Sequence, residues 1–209
     1  YLVRRIRTSG LMLVGTYRPE EAPLDHALTS LLAECPADRT RQFELPPFSR
    51  NETADICAAH LASAEGIYRL SGGNPLLVTE LARKDFKDGQ PVPEAIRRLA
   101  AARLLRLSAA ERSWIELLAA VPPPHGQALI ASLTAAFDLD PGQIPTNCGF
   151  LSQGLKGEFR QPAMRLAVLS QISAFSLAAL RQRLLALLQS SGTETANAEC
   201  LFRLGLEAR

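Results

Sequence analysis

The chain has 209 residues, 47% of them hydrophobic, which is enough to bury a core in one large or two small domains. Its formal net charge is only +2, so charge gives no strong argument for a nucleic acid or an anionic membrane as partner. No apolar run reaches the roughly 18 to 20 residues of a membrane span, and no signal peptide opens the chain.

The cysteines and histidines form no metal-site or catalytic pattern. They are Cys35, Cys57, Cys148, Cys200, His26, His60 and His125. The cysteines stand far apart without a C-x-x-C pair, which predicts buried thiols in a reducing cytoplasm. The histidines have no Ser, Cys or carboxylate at a telling spacing, so we predict no catalytic residue and no metal ligand.

The N-terminal part of the chain predicts a small parallel β-structure. The apolar run at residues 11–16, bounded by glycines, is typical of a strand buried on both faces. Residues 41–45 alternate apolar and polar and predict a second short strand. A predicted helix at residues 25–35 lies between them, as a parallel crossover requires, so we expect the strands to be parallel neighbours. Arg18 follows the first strand, at the end where such sheets bind ligands, and its guanidinium suits phosphate.

After Pro46 and Pro47, which mark a candidate domain boundary, the pattern is helical. The predicted helices cover roughly residues 49–63, 64–71, 75–84, 96–107, 108–121, 127–137 and 140–151. Ser49 with Glu52, and Ser108 with Glu111, predict capping boxes at two of the starts. The tail at residues 164–188 predicts helical hairpins, and residues 193–206 predict the start of a further helical repeat.

Residues 95–160 show a winged-helix pattern, with residues 155–159 as a hairpin-like wing. That fold often binds DNA through its third helix, which would lie near residues 142–153. This stretch contains no Arg or Lys, whereas contact with DNA phosphates demands cations. We therefore interpret the region as an interaction and regulatory module.

The turn at Gly72 and Gly73, followed by Pro75 in the first turn of a helix, is a candidate ligand site. Glycine permits positive φ and close backbone approach, and a helix N-terminus presents donors to anions or adenine edges. The alternative is a corner between two helices of a bundle, which needs no ligand.

Four short segments carry a family resemblance. They are Leu13-Val14-Gly15-Thr16-Tyr17-Arg18-Pro19-Glu20, Glu44-Leu45-Pro46-Pro47-Phe48-Ser49, Leu70-Ser71-Gly72-Gly73-Asn74-Pro75-Leu76-Leu77-Val78-Thr79-Glu80-Leu81, and Glu158-Phe159-Arg160-Gln161-Pro162 followed by Arg165 and Ala167. In this order they resemble the sensor 1 strand, the lead into the helical lid, the Gly-Asn-Pro-Leu segment and the end of the winged helix in STAND signalling ATPases. The AAA-type module of large LuxR-type regulators is the most similar, and the resemblance runs from Tyr1 to about Leu188.

The resemblance implies roles for individual residues. In that family the Arg after Thr-Tyr senses the γ-phosphate, and the Pro of Gly-Asn-Pro-Leu packs near the adenine. Gln161 stands where the family typically has a His near the phosphates, which is a departure from the pattern. The implied nucleotide-binding residues are Thr16, Arg18, Gly73, Asn74, Pro75 and Gln161, and the implied cofactor is ATP or ADP with Mg²⁺ in an intact parent protein.

The phosphate-binding half of such a module is missing from the sequence. No G-x-x-x-x-G-K-[ST] motif occurs, and no second apolar strand ends in paired acids. We therefore expect the chain, which starts at Tyr1 without Met, to be a fragment that neither hydrolyses ATP nor binds it tightly. Its partners would be the N-terminal phosphate-loop region of the same parent, which would bind or hydrolyse ATP, and an effector or protein at the C-terminal helices. No membrane and no direct DNA contact are expected.

The predicted fold is mostly α with a small parallel β remnant. Its parts are the end of a P-loop α/β core at residues 1–48, a helical lid at 49–90, a winged-helix-like domain at 91–162 and the start of a TPR-like helical array at 163–209. The predicted function is a nucleotide-dependent switch in a transcriptional or signal-transduction regulator. The alternatives are a helical protein-interaction scaffold and a winged-helix DNA-binding protein.

Overall fold

The structure, a computed structural model, describes residues 12–17, 27–35, 40–60, 62–87, 89–123, 125, 127–145, 148–152 and 157–190. These residues are mostly helical, and no strand longer than a single β-bridge occurs among them. The chain divides into two compact units, Tyr1–Pro46 and Pro47–Arg209.

The first unit has one described helix, α1 at Ala27–Glu34. The two predicted strands are not formed in the described residues, because 12–17 and 40–46 have no regular secondary structure. Met12 is 86% exposed and Leu45 is 85% exposed, so the apolar side chains are not buried as a central strand requires. A parallel strand takes its backbone hydrogen bonds from neighbouring strands, and neither segment has one among the described residues. The expected parallel pairing is therefore absent there.

The second unit begins with a three-helix bundle, formed by α2 at Arg50–Ala58, α3 at Ala64–Ser71 and α4 at Pro75–Arg83. Each of these helices packs against the other two. The predicted capping box of α2 is confirmed: the Ser49 side chain accepts from the Glu52 N–H while the Glu52 carboxylate accepts from the Ser49 N–H at 2.7 Å. The helix ends at Ala58, earlier than predicted.

Three more helices follow, α5 at Glu94–Leu104, α6 at Ala109–Ala120 and α7 at Gln127–Phe137. The predicted capping box of Ser108 and Glu111 begins α6. Trp114 on α6 is fully buried and donates its indole N–H to the Asp140 carbonyl at 2.8 Å. This bond secures the loop after α7 to the core.

The predicted helix at residues 140–151 is wrong. One 3-10 turn at Pro141–Gln143 is present, and none of the other described residues between 144 and 151 is helical. Pro145 explains the stop, because a proline disfavours the helical conformation in the residue before it, and Ile144 has an extended ψ of 116°. Gly149 then adopts a φ of 71°. The third helix expected of a winged helix is therefore not formed in the described part of this stretch.

A short hairpin base follows, with Leu151 and Phe159 in an antiparallel bridge. The Ser152 N–H donates to the Glu158 carbonyl and the Arg160 N–H donates to the Phe150 carbonyl, both at 2.8 Å. The pairing lies where the sequence predicts a hairpin-like wing, and residues 153–156 of that prediction are outside the described residues.

The last described helices are α8 at Pro162–Leu169 and α9 at Ala174–Ser190, which confirms the helical prediction for the tail. Helix α8 packs on α3, α5 and α6, so it connects the first bundle to the helices that follow. Helix α9 packs on α6. The described helices contain none that is by itself long and apolar enough to cross a membrane, although α8 and α9, bent by 114°, pass as a pair on length and composition.

Candidate functional site

Within the second unit, the structure brings several of the predicted site residues together. Gly73, Asn74 and Pro75 form the corner between α3 and α4, and Gln161 immediately precedes α8. Thr16 lies in the exposed segment 12–17 of the first unit. Arg18, the predicted phosphate sensor, lies outside the described residues.

The corner is built from two consecutive glycines with positive φ, 57° at Gly72 and 74° at Gly73. Residues with a side chain rarely adopt this conformation. The Gly72 N–H donates to the Tyr68 carbonyl at 2.8 Å, and the Gly73 N–H donates to the Ser71 hydroxyl at 3.2 Å. Ser71 is fully buried, so its hydroxyl holds the turn from inside the bundle.

Gly73 is in direct backbone contact with the segment that leads into α2. The Phe48 N–H donates to the Gly73 carbonyl at 2.8 Å. A Cβ atom on Gly73 would collide with the Phe48 carbonyl oxygen and would lie 3.1 Å from the Phe48 amide nitrogen. Glycine is therefore required here both for its φ and for the space that Phe48 occupies.

Gln161 also lies against this corner, next to Gly72. A Cβ atom on Gly72 would be 3.6 Å from Gln161 Cγ and 3.5 Å from the Arg160 carbonyl oxygen, which is ordinary van der Waals contact. The Gln161 carbonyl accepts from the Met164 N–H at 3.0 Å, while its side chain makes no capping bond to α8. Three segments far apart in sequence thus meet at Gly72 and Gly73.

The backbone donors of this corner are already used within the chain. Asn74 Oδ1 accepts from the Leu76 and Leu77 N–H groups at 3.1 and 3.3 Å, and the Asn74 carbonyl accepts from the Val78 N–H at 2.8 Å. Pro75 has no N–H to offer. The expectation that the start of α4 presents free donors to an anion is therefore not met. What remains accessible is the exposed Pro75 ring and Leu76, which is 50% exposed. These two side chains form a small exposed apolar surface.

Two residues of the corner, Phe48 and Ser71, lie in segments that carry the family resemblance, but the sequence assigned neither of them a role in the site. Phe48 contributes through its backbone, whose chemistry does not depend on the side chain. Ser71 has a weak local signal, because a Ser before two glycines is typical of a turn held by a hydroxyl. A further residue nearby in sequence is Arg165 in the first turns of α8, whose side chain is buried.

The pKa shifts in the described residues trace to helix caps, ion pairs and burial. The Ser49 backbone and hydroxyl lower the pKa of the Glu52 carboxyl, and those of Ser108 do the same for Glu111. Burial raises the pKa of the Cys57 thiol, which disfavours the nucleophilic thiolate. No group of three His, Cys, Asp or Glu side chains that would hold a metal ion occurs in the described part of the chain.

Comparison of the chain with protein-family models, with curated proteins and with solved structures gave no match. The corner of Phe48, Gly72, Gly73 and Gln161 is therefore the feature from which a function is proposed.

Proposed function

We propose that the chain is part of a STAND-type, nucleotide-dependent switch of a transcriptional or signal-transduction regulator. In this proposal residues 1–48 are the edge of a P-loop α/β core, the bundle of α2 to α4 is the helical lid, and residues 91–162 form a winged-helix-like module. One observation supports it most: three of the four segments that carry the family resemblance meet at Gly72 and Gly73. A chance resemblance of short motifs would not require them to be neighbours in space.

The residues of the corner fit one side of a nucleotide. Pro75 and Leu76 offer an apolar surface for the adenine, whereas the donors that would hold phosphates are occupied by Asn74. Phosphates and Mg²⁺ would be held by the N-terminal region of an intact parent, with Thr16 and Arg18 facing the γ-phosphate. The isolated chain should therefore bind adenine compounds weakly and without regard to their phosphates.

An NMR titration of the chain with adenosine, ADP and ATP tests this proposal. We expect the three ligands to bind with equal affinity and with dissociation constants of about 1 mM or higher. This corresponds to a binding free energy no more favourable than about −4 kcal/mol. The amide shifts should be confined to residues 72–77 and 160–162. Leu76→Glu should abolish them. Leu105→Glu, at a leucine that is 79% exposed, is the matched control and should not.

Two outcomes of that titration contradict the proposal. The first is the absence of shifts at the corner at millimolar adenosine. The second is micromolar affinity that depends on the third phosphate, which would mean that the chain carries a phosphate site of its own.

In an intact parent with a phosphate loop, Arg18→Ala should reduce the discrimination between ATP and ADP by about ten- to a hundredfold, since a charge-assisted contact to phosphate contributes roughly 1.5 to 3 kcal/mol. Arg18→Lys should retain part of the discrimination between ATP and ADP, because lysine supplies the positive charge without the two parallel donors of a guanidinium. Pro75→Ala should weaken ATP and ADP equally. A lower melting temperature with unchanged nucleotide preference would make Arg18 a structural residue.

A helical protein-interaction scaffold is the second candidate function. The observation that favours it is the absence of a sheet from the described residues, together with the exposure of apolar side chains at residues 12–17 and 43–45. A titration without corner shifts would favour the scaffold over the switch. The winged-helix DNA-binding alternative loses support, because the expected recognition helix is not formed in the described part of residues 142–152.

A further inference from the structure

His125 is a buried histidine whose two ring nitrogens both lie against backbone carbonyls. Only 8% of the residue is exposed. Its Nδ1 lies 2.7 Å from the Gly157 carbonyl oxygen, and its Nε2 lies 3.0 Å from the Val121 carbonyl oxygen. Both are hydrogen-bond distances. Because a carbonyl oxygen only accepts, each nitrogen must carry a hydrogen if both contacts are to be hydrogen bonds.

The two contacts distinguish the protonation states of the ring. A neutral imidazole has one N–H group, whereas an imidazolium has two. In a neutral ring, one nitrogen would turn its lone pair towards a carbonyl oxygen, and that oxygen would lose its hydrogen bond to the ring. The loss is costly at a buried position, because water does not replace the missing donor. The geometry at His125 therefore fits the doubly protonated ring.

The place of the ring at the end of α6 also favours the charged form. Val121 is the C-cap residue of this helix. The last carbonyls of a helix carry partial negative charge, which attracts a cation. Burial acts in the opposite direction, because it removes the charged ring from water. Two charge-assisted hydrogen bonds and the helix end oppose that cost.

The other carbonyl belongs to the hairpin base, which consists of residues 150–152 and 157–160. Gly157 is buried and has a φ of 90°. A Cβ atom on it would lie 3.1 Å from Ile130 Cδ1 on α7 and 3.2 Å from Leu118 Cδ2 on α6. The contact between His125 and Gly157 spans 32 residues of sequence, whereas the contact with Val121 is local. The ring therefore joins the hairpin base to the end of α6.

Charged side chains on the surrounding elements do not supply an ion pair for the ring. Helix α7 carries no charged residue. On α6, Glu116 pairs with Arg112 at 2.8 Å, and Glu111 caps the opposite end of the helix. No charged side chain in the described part of the chain forms an ion pair with His125. The remaining charged residues on the hairpin base and on the elements that pack on α6 are Asp140, Glu158, Arg160, Arg165, Arg181 and Arg183.

We propose that His125 is a proton-dependent link, in which the doubly protonated ring joins the hairpin base to the end of α6 and loss of one proton breaks one of the two bonds. Histidine changes its charge in the range of about pH 5 to 8. The protonated ring makes one more hydrogen bond in the folded chain than the neutral ring does. Raising the pH through this range therefore loosens the hairpin base, and lowering it tightens the base. The proposal does not depend on nucleotide binding.

Nitrogen-15 NMR of the histidine rings in the full 209-residue chain tests the charge directly. Both nitrogens of an imidazolium carry a hydrogen, whereas one nitrogen of a neutral ring does not, and the two kinds of nitrogen have distinct shifts. His60 is the matched comparison within the chain, because it is exposed. We expect the His125 ring to remain doubly protonated at a pH at which the His60 ring has become neutral.

Amide hydrogen exchange measures whether the proton holds the hairpin base. The Ser152 and Arg160 N–H groups donate across this base. After correction for the intrinsic pH dependence of exchange, we expect the protection of these two amides to fall at least about tenfold between about pH 6 and pH 8. His125→Asn should remove this pH dependence, because its amide donates without titrating. His60→Asn is the control variant and should leave the pH dependence unchanged.

Two results would overturn the proposal. One is a His125 ring that becomes neutral at the same pH as the His60 ring or at a lower pH. The other is protection of the Ser152 and Arg160 amides that has the same pH dependence in His125→Asn as in the native chain. The ring measurement uses the native chain alone, so it decides the question even if His125→Asn does not fold.

Discussion

Gly73 has a steric environment that disfavours any side chain, because its φ of 74° and the Phe48 carbonyl both oppose a Cβ atom. Gly89 offers a matched comparison, since its φ is 87° but nothing lies within 4 Å of a Cβ built there. We expect Gly89→Ala to lower the free energy of unfolding by about 1 kcal/mol, because of the backbone conformation alone. Gly73→Ala should cost roughly 2 kcal/mol more, because Phe48 must also move.

Urea unfolding of the two variants measures this difference. If the two alanine variants lost the same stability, the Phe48 backbone would move aside without measurable cost, and the close contact at Gly73 would not hold the segment before α2 in place.

Thr53 and Ser71 are both buried, but only the Ser71 hydroxyl forms a hydrogen bond among the described residues. Thr53 Oγ1 has no hydrogen-bond partner among the described residues, whereas Ser71 accepts from the Gly73 N–H. Replacing an unpaired buried hydroxyl with a methyl of similar shape relieves a desolvation cost, so Thr53→Val should leave stability unchanged or raise it by up to about 1 kcal/mol. Ser71→Ala should lower it by about 1 to 2 kcal/mol, because a buried N–H loses its partner. The unfolding midpoints of both variants check the prediction, which fails if Thr53→Val is the more destabilising change.

At the scale of one helix, the capping box of α6 makes stability depend on pH. The folded pKa of the Glu111 carboxyl lies below its ordinary value, because the Ser108 N–H and hydroxyl stabilise the carboxylate. Because the folded pKa is lowered, the ionised carboxylate stabilises the fold at pH values above the unfolded pKa. This stabilisation is lost as pH falls through the folded pKa. The melting temperature of the native chain should therefore exceed that of Glu111→Gln at pH 7, and the gap should narrow as pH falls below the unfolded carboxyl pKa of about 4.3. A gap that stays constant between pH 7 and pH 3 would assign the effect to something other than the carboxylate.

The helices were predictable to the extent that their ends carry local signals. Ser49 with Glu52, Ser108 with Glu111, and Asn74 with Pro75 mark three starts, and the structure has a helix at each. The end of α2 at Ala58 has no such signal, because residues 59–63 contain no breaker, and it was predicted too late. The helix at residues 140–151 was predicted from its apolar periodicity alone. Pro145 was a signal against it, because a proline disfavours the helical conformation in the residue before it.

The two strand predictions were wrong in the described residues for a different reason. A helix closes its hydrogen bonds within one segment, but a strand needs a partner elsewhere in the sheet. An apolar run such as residues 11–16 therefore predicts where a strand would form only if its neighbours are present. Among the described residues they are not.

At the scale of the whole molecule, all the buried core residues in the part of the chain that the structure describes belong to the second unit. Its residues run from Cys57 to Leu188, and the apolar side chains of residues 12–14 and 43–45 are exposed. We therefore expect residues 47–209 to fold without residues 1–46, with the helical signal and one cooperative thermal transition in circular dichroism. Loss of the cooperative transition on removing residues 1–46 would contradict this.

The candidate site was half predictable at this scale. The turn itself follows from the local sequence Ser-Gly-Gly-Asn-Pro, whose conformational preferences are strong. That Phe48 and Gln161 lie against it depends on how α2 and α8 pack, and a sequence pattern holds no information on such distant contacts. The occupied donors at Asn74 likewise became evident from the hydrogen bonds and not from the residue types.

The packing of α8 on α3, α5 and α6 has a consequence for the order of folding. The contacts among α2, α3 and α4 join neighbours in sequence, whereas α8 must close loops of more than 50 residues to reach α3 and α5, which costs more chain entropy. We expect α8 to dock after the transition state, so that Met164→Ala accelerates unfolding and hardly changes refolding, whereas Leu77→Ala in α4 slows refolding. Stopped-flow kinetics would separate the two. During synthesis, a nascent chain that ends before Pro162 would hold both groups of helices without the element that packs between them.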